Sequence, residues 1–379
     1  MPLTPPARPV RVALIGANGH GMRHREQLAE LTERGIAELV ALADTAPVVD
    51  APDGVPVFAD LAALLSEIKP DVVIVCTPPH THLALASAAL RSGADVLLEK
   101  PPVLDLDEHH ALVAVQEETG RVVQVGFQAL ASPALGRLRE AVAAGAVGTP
   151  RGVSVLGAWQ RDDDYWRRSS WSGRRSVAGR PSLDGALANP FAHALMQALA
   201  VLDQQPVEVE VAWCRVRDIE VEDTATLRVT LSGGALVLIA VTLVSESFVD
   251  GELVVHGSAG RAELAFREDL LRLPGEAELT TVEGRVTLLE NLIDHRAGAA
   301  ELLSPLARTA GFTDVIARLR QAPMPVEVEP NAYDVDGGTR TLRGVNDALR
   351  RCADEFALLT EIGTPWIATP GSGPAIPPP

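Results

Sequence analysis

The six residues Val10 to Ile15 (VRVALI), five of them apolar, run straight into Gly16-Ala17-Asn18-Gly19-His20-Gly21. A polar, helix-compatible stretch from Met22 to Arg34 follows, Gly35 closes it, and a second apolar run from Leu39 to Ala43 ends on Asp44. Strand, glycine turn, helix, strand and acidic tip, in that order, describe a parallel βαβ unit of the Rossmann kind.

The residue types follow from what such a turn must hold. A pyrophosphate needs backbone N–H groups at close range, and the first turn of a helix offers four unpaired ones with a favourable dipole. A Cβ would keep the phosphate away, so glycine stands where the backbone must approach. Asp44 lies 23 residues after Gly21, near the ~20-residue offset at which a carboxylate accepts the adenosine ribose hydroxyls. A carboxylate there repels a 2′-phosphate, so the expected cofactor is NAD rather than NADP. The fingerprint departs at its middle position, where Asn18 stands and a glycine comes one place late at Gly19. Asparagine tolerates left-handed backbone angles better than other non-glycine residues, so the turn remains feasible.

Composition narrows the partners. Lys plus Arg number 33 against 50 Asp plus Glu, a formal charge of −17, which disfavours nucleic acid and anionic membranes. Cys76, Cys214 and Cys352 are far apart and form no metal-type pair. No metal site is expected, and a reducing cytoplasm fits. The opening MPLTPPARPV is too short and proline-rich for a signal peptide, and no apolar run reaches the ~18 residues of a membrane span.

The alternation of short apolar strands and helices continues through Asp71–Cys76, Asp95–Leu98 and Arg121–Phe127, predicting a parallel sheet covered on both faces. The pattern then changes. Period-two runs at Val207–Val216, Thr224–Leu231, Ala235–Val244, Glu252–His256 and Arg261–Phe266 follow one another without helices between them, and Ser232-Gly233-Gly234 is a hairpin turn signal. The predicted fold class is an α/β Rossmann domain followed by an α+β domain with a large open, mostly antiparallel sheet. The expected boundaries are 1–127 for the first, 128–365 for the second, and a Pro/Gly-rich, disordered tail over 366–379. Helices are predicted near Pro190–Leu202, Leu303–Arg320 and Thr339–Leu359. An open sheet presents an apolar face that a monomer would leave wet, so a homodimer or homotetramer through that sheet is expected.

The stretches VRVALIGANGHGMRH, LVALAD, DVVIVCTPPHTHLALASAALRSGADVLLEKP, VVQVGF and ANPFAH resemble the Gfo/Idh/MocA family of NAD(P)-dependent oxidoreductases, continuously over the first 130 residues or so and more loosely to about Leu359. The resemblance implies a Rossmann domain before a substrate and oligomerisation domain, and a catalytic or substrate-binding lysine in the Glu-Lys-Pro motif, Lys100. It implies cofactor contacts at Gly16, Asn18, Gly19, His20, Gly21, Asp44, Thr77, Pro78, His82, Glu99 and Lys100. Family members carry a carboxylate and a histidine four residues apart on one helix facing the nicotinamide. Here Asn189 and His193 take those places, and four-residue spacing would put both on one helical face. Asparagine can bind a hydroxyl but cannot exchange a proton, so base duty would fall to His193. Met196 stands where a further acid is common. Pro101 is a candidate cis residue, and His109 and His110 read as exposed.

Between Trp159 and Arg175 lie three of the five tryptophans and one of the two tyrosines, with several arginines. Rings that stack on sugar faces beside arginines that bind hydroxyls, carboxylates or phosphates make a polar-substrate wall; the same residues also suit a subunit interface. The stretch resembles a W-x-R…Y-x-x-R…W-x-G pattern in one branch of the family, which assigns Arg161, Tyr165 and Trp171, with Asn189 and His193, to the substrate.

Three activities compete at this level. The first is an NAD-dependent dehydrogenase of a sugar, polyol or sugar-derived substrate. The second is a glycoside hydrolase that uses tightly held NAD transiently. The third is a non-catalytic, NAD-responsive binding protein on the same scaffold.

Overall fold

A computed structural model describes residues 8–367 and 376. Contacts divide the chain into two compact units, one comprising the residues up to Ala131 with Val286–Thr313, the other Ser132–Arg285 with the residues from Asp314 on. The segment 286–313, expected with the second domain, therefore returns to the first. Its signal lies in a strand reading VQV. Gln124 is fully buried there, donating through Nε2 to Leu288 O and to Asn291 Oδ1 at 2.8 Å each, while its Oε1 accepts from Ser304 N at 3.0 Å. A buried amide must find partners, and only the returning segment supplies them.

The first unit holds six parallel strands: β1 (Val10–Ile15), β2 (Ala37–Ala43), β3 (Val57–Phe58), β4 (Val72–Val75), β5 (Asp95–Leu98) and β6 (Val123–Val125). Their order is β3-β2-β1-β4-β5-β6. The chain leaves the middle in one direction and restarts beside β1 in the other, so the carboxyl ends of β1 and β4 flank the switch point at which open α/β sheets bind ligands. The strands are almost wholly apolar because helices cover both faces. Asp60 and Asp105 cap the helices Leu61–Glu67 and Leu106–Thr119 by accepting from Ala63 N and Glu108 N. His109, expected at the surface, is buried, with Nε2 3.0 Å from Leu306 O; the returning segment covers that helix face.

In the second unit, β7 (Pro150–Gln160) is followed by a short hairpin, β8 (Ser176–Val177) with β9 (Arg180–Pro181). Then come β10 (Pro206–Arg215), β11 (Thr224–Leu231), β12 (Leu236–Thr242), β13 (Val244–Gly257), β14 (Gly260–Ala265), β15 (Leu270–Arg272), β16 (Thr280–Thr281) and β17 (Val326–Glu327). Nine strands form one sheet, ordered β16-β15-β14-β13-β7-β12-β11-β10-β17 and antiparallel except at β7/β12 and β10/β17. The stretch expected to begin a helix at Thr339 instead opens with a hairpin, β18 (Tyr333–Asp336) with β19 (Thr339–Leu342), because Gly337 at φ +56° turns the chain back. The helix is confined to Val345–Glu355.

That helix bears on a second expectation, the apolar sheet face offered to a homodimer or homotetramer. Val345, Leu349, Cys352 and Ala353, followed by Leu358, Leu359, Trp366 and Ile367, pack on Leu156, Ala212, Cys214, Val216, Leu238 and Ala240 of the sheet. Alternate sheet residues such as Val153, Val155, Leu227 and Ile239 are fully buried as well. Among the described residues the central strands of the sheet are thus covered on both faces by their own chain, while Val207, Phe248 and Val326 on β10, β13 and β17 stay exposed. Trp366 and Ile367 belong to this core, and the rest of the tail expected to be disordered lies outside the described residues, apart from Ile376, which bridges Val209. Among the described residues no helix is long and apolar enough to cross a membrane.

Candidate active site

In the first unit the glycine turn is built by exclusion of side chains. Gly16 has φ +84°, and a Cβ there would lie 2.0 Å from Cys76 O; a Cβ on Gly21 would lie 1.9 Å from Gly16 O. The two glycines thus let the end of β1 sit against the end of β4 and let the helix Gly21–Glu33 start directly over the turn. Left-handed angles occur at Gly16 and Gly19, not at Asn18, so the glycine one place late takes the left-handed position and the asparagine need not. Asn18 acts as a clasp instead. Its N–H donates to Asp44 Oδ2 at 3.2 Å, its Nδ2 to Pro47 O at 3.2 Å, and its Oδ1 accepts from Val49 N at 3.1 Å. Asp44 also accepts from Ala46 N through Oδ1 at 3.0 Å. The carboxylate at the end of β2 is therefore fixed in place beside the turn.

Beyond β5, Glu99 is buried and Lys100 half-buried, and the Lys100–Pro101 peptide is cis. Glu99 meets His24 Nε2 at 3.0 Å and His20 Nε2 at 3.6 Å, and it accepts from Lys100 N at 3.2 Å. Burial alone would raise this carboxyl, but hydrogen bonds and charge from His20 and His24 outweigh it and hold it far below the usual carboxylate range. The hydrogen bond to Glu99 in turn raises the pKa of His20 against its partial desolvation. Gly126 leaves room for the arrangement, since a Cβ there would meet Glu99 Oε2 at 3.0 Å. The ligand atoms of His20, His24 and Glu99 lie within 4.8 Å of one another, a set able to hold a metal ion; the shortest edge of that triangle is already a hydrogen bond.

His82 is fully buried. Its Nδ1 faces Pro101 O at 2.9 Å and its Nε2 faces Thr77 O at 2.7 Å. Burial lowers its pKa while the carbonyls pull the other way. The ring ties the loop after β4 to the loop after β5, and the direct cofactor contact expected of it is not available to a side chain with no exposed surface. Thr77 Oγ1 pairs with Thr81 Oγ1 at 2.7 Å, and Pro78 is exposed between them.

The second unit assembles its polar cluster differently. Asn189 and His193 do not share a helix. The helix begins at Ala192, and Asn189 lies in the preceding turn, its N–H donating to Gly185 O at 3.1 Å. The cause is local: Phe191 wedges against β7, where a Cβ on Gly157 would meet its ring at 2.3 Å, and its ring stacks 4.3 Å from that of Trp159. Asn189 Nδ2 donates to Asp184 Oδ1 at 2.6 Å. Asp184 was not foreseen from sequence. Its side chain is 2% exposed, and it accepts from Arg168 Nη2 at 2.8 Å and from Gly173 N at 3.0 Å. Burial raises its pKa against these donors. Glu222, also unforeseen, props the same turn from beneath: Leu187 N donates to its Oε1 at 2.9 Å and Ala186 N to its backbone oxygen at 3.1 Å. Complete burial pushes Glu222 up to about 7 and the adjacent Asp223 up to about 6.

The aromatic and arginine-rich stretch forms a ladder. Arg161 lies 5.1 Å from the Trp159 ring centre and 5.3 Å from that of Tyr165; Arg168 lies 3.9 Å from Tyr165 and 4.9 Å from Trp171. Burial, reinforced by Asp184, pushes the Tyr165 hydroxyl to about 12. Arg161, Tyr165, Arg168, Asp184 and Asn189 are thereby joined by successive contacts within one unit, and Trp171, 40% exposed, ends the ladder. Arg168, like Asp184, is a member of this set that the sequence did not single out as a site residue.

Residues 10–127 match the Gfo/Idh/MocA family model described as an oxidoreductase family with an NAD-binding Rossmann fold, and residues 135–263 match the C-terminal domain model of the same family. The inositol 2-dehydrogenase of Rubrobacter xylanophilus is 34% identical over 160 residues, 41% of this chain and 45% of that enzyme. The UDP-N-acetylglucosamine 3-dehydrogenase of Acidithiobacillus ferrooxidans is 32% identical over 133 residues, 35% of this chain and 41% of that enzyme. The chain thus spans less than half the length of these relatives. Among solved structures, the WlbA dehydrogenase of Chromobacterium violaceum, crystallised with NADH and UDP-GlcNAcA, superposes with a TM-score of 0.70 at 22% identity, covering 84% of this chain and 96% of that one.

Proposed function

Because the chain belongs to the Gfo/Idh/MocA family of oxidoreductases and carries its NAD-binding Rossmann fold, we propose that it transfers a hydride between NAD and a CH–OH carbon of a sugar, polyol or sugar-derived substrate. The observation that carries this reading is the presence, in one unit, of a side-chain-free glycine turn after β1, a fixed Asp44 after β2 and a lysine just beyond β5 of the same parallel sheet. The turn offers N–H groups to the pyrophosphate. Each oxygen of Asp44 takes one backbone N–H and keeps lone-pair capacity for the ribose hydroxyls; a 2′-phosphate would meet its negative charge.

Bound NAD supplies the hydride acceptor at nicotinamide C4. In the oxidative direction the carbinol carbon gives up a hydride and its hydroxyl gives up a proton, leaving a carbonyl. Lys100 and His193 are assigned the orientation of that oxygen and the movement of its proton, a task suited to an amine and an imidazole. Asn189 is assigned a hydrogen bond to the substrate; its amide is turned with Nδ2 toward Asp184, so the acceptor end points away from that carboxylate. Dehydrogenases named for inositol and for UDP-N-acetylglucosamine among its relatives support the substrate range.

Replacing Lys100 with Met tests the assignment. NADH formation followed by absorbance should fall about a hundredfold or more, the usual scale of a lost acid–base group, while calorimetric NAD affinity stays near that of the wild type. Unaltered turnover would refute it.

A further inference from the structure

Arginines crowd the ladder of the second unit, and most of them touch a carboxylate, with Asp163 shared by Arg167, Arg217 and Arg340. Arg168 pairs with Asp184 at 2.8 Å, Arg217 with Asp163 at 3.1 Å, and Arg340 and Arg267 with Asp163 and Asp250. Arg161 touches none, and Arg175, farther along the stretch, is taken up by the carbonyls of Leu319, Arg320, Ala322 and Pro323. Among the described residues no carboxylate lies within ion-pair distance of Arg161; its Nη1 donates to its neighbour's carbonyl, Gln160 O, at 3.0 Å, and its side chain also hydrogen-bonds the Tyr165 hydroxyl. Yet its guanidinium is held between the rings of Trp159 and Tyr165, at 5.1 and 5.3 Å. Its backbone is anchored as well, since its N–H donates to Leu243 O at 2.9 Å and its carbonyl accepts from Arg217 Nη2 at 2.8 Å.

This combination is informative because surplus positive charge is scarce here. The chain has 17 more acidic than basic side chains, so an arginine left without a carboxylate while its neighbours are paired is a conspicuous local excess. Stacking fixes the plane of the fork without consuming donors, and a guanidinium has five, so N–H groups remain for a two-oxygen acceptor beyond those given to Gln160 O and Tyr165. Contacts lead from Arg161 through Tyr165 and Arg168 to Asp184 and Asn189, so the cation sits on the same scaffold as the turn assigned to the substrate.

We infer that Arg161 is an anion subsite and that the preferred substrate is a sugar bearing a negatively charged group, a carboxylate or a phosphate ester, rather than a neutral polyol. The inference rests on the sugar-oxidising reading above and sharpens it. Trp159 and Tyr165 give the apolar sugar face a wall, while the fork of Arg161 selects the charged substituent.

The test uses the full chain loaded with NAD and a matched panel: a neutral hexose, its uronate and its 1-phosphate, with a neutral inositol beside them. Calorimetry measures binding and absorbance measures NADH formation. Wild-type protein should bind the uronate or the phosphate well above the neutral hexose, the preferred arm telling carboxylate from phosphate. Arg161→Met should reduce that charged-to-neutral preference by roughly a hundredfold, the scale of hydrogen bonds to charged groups. Arg161→Lys, which keeps charge but not the planar fork, should retain part of it. A neutral sugar bound as tightly as its charged partners, or a preference unchanged in Arg161→Met, overturns the subsite. Charged-sugar binding that depends on Arg161 but is never followed by NADH would instead overturn the dehydrogenase reading and leave the subsite standing.

Discussion

The two units build their polar sites by opposite means. In the first, chemistry is presented by backbone: the turn from Gly16 to Gly21 works because Cβ atoms are missing, and Asp44 is fixed by N–H groups of Asn18 and Ala46. In the second, chemistry is presented by side chains that hold one another, with Asp184 receiving Arg168, Asn189 and Gly173 N, and Glu222 receiving the turn above it. A backbone site tolerates no substitution at the close approaches, because the atoms in the way are main chain. A side-chain site rests on several groups that hold one another and should fail gradually, through positioning.

The largest effect expected from that contrast is at Gly21. Gly21→Ala forces a Cβ to within 1.9 Å of Gly16 O, with backbone and not a flexible side chain in the way. NAD affinity measured by calorimetry should become undetectable or fall by several orders of magnitude. An alanine variant binding NAD normally would break the account of the turn. Asp44→Asn comes next. It keeps an acceptor but loses the charge that repels a 2′-phosphate. NAD should bind roughly tenfold more weakly, at the lower end of what hydrogen bonds to charged groups contribute, and the NADP-to-NAD affinity ratio should rise. A fall in both dinucleotides by the same factor would remove Asp44 from cofactor discrimination.

This difference also governs what could be read from the chain. Gly16, Gly21, Asp44 and Lys100 stand next to strand ends, and an apolar run of four to six residues announces a strand end directly. The same reasoning placed five later strands of the second unit but missed its hub. Asp184 and Glu222 look like ordinary loop acids in sequence, and only the packed turn shows them buried. Asn189 was assigned to a helix because spacing alone cannot register that Phe191 wedges on Gly157 and delays the helix to Ala192. His109 was read as exposed because a helix face covered by a segment almost 200 positions later gives no local signal. The cover laid over the sheet by Val345–Glu355 was unreadable for the same reason.

Gly185 tests the gradual side of the comparison. A Cβ there would stand 2.2 Å from Glu222 Oε2, so Gly185→Ala must displace either the turn or the carboxyl beneath it. Turnover should fall about tenfold to a hundredfold, the cost expected of small misplacement near a reacting centre, while NAD affinity is unchanged because the coenzyme turn belongs to the other unit. Loss of NAD affinity along with turnover would mean that the two sites do not fail separately.

The smallest effect concerns how that carboxyl is kept. Glu222 is raised from its ordinary value to about 7 by complete burial, against the donation from Leu187 N, and Asp223 is raised to about 6 in the same way. A raised carboxyl binds its proton more tightly folded than unfolded, so its contribution is fully present below the unfolded value and is lost as pH rises through the folded one. The fold should therefore lose stability between about pH 4.5 and 7, opposite in sign to the Glu99 carboxyl, whose lowered value favours the fold as pH rises through the acid range. Glu222→Gln keeps the shape and an acceptor oxygen for Leu187 N but has no proton to lose. Thermal unfolding across pH 5 to 8 should show a decline in Tm flattened by on the order of a few degrees in the variant, with Asp223 supplying the slope that remains. Parallel curves for the two proteins would mean that Glu222 stays ionised beneath the turn, and the turn would then be held by a buried charge.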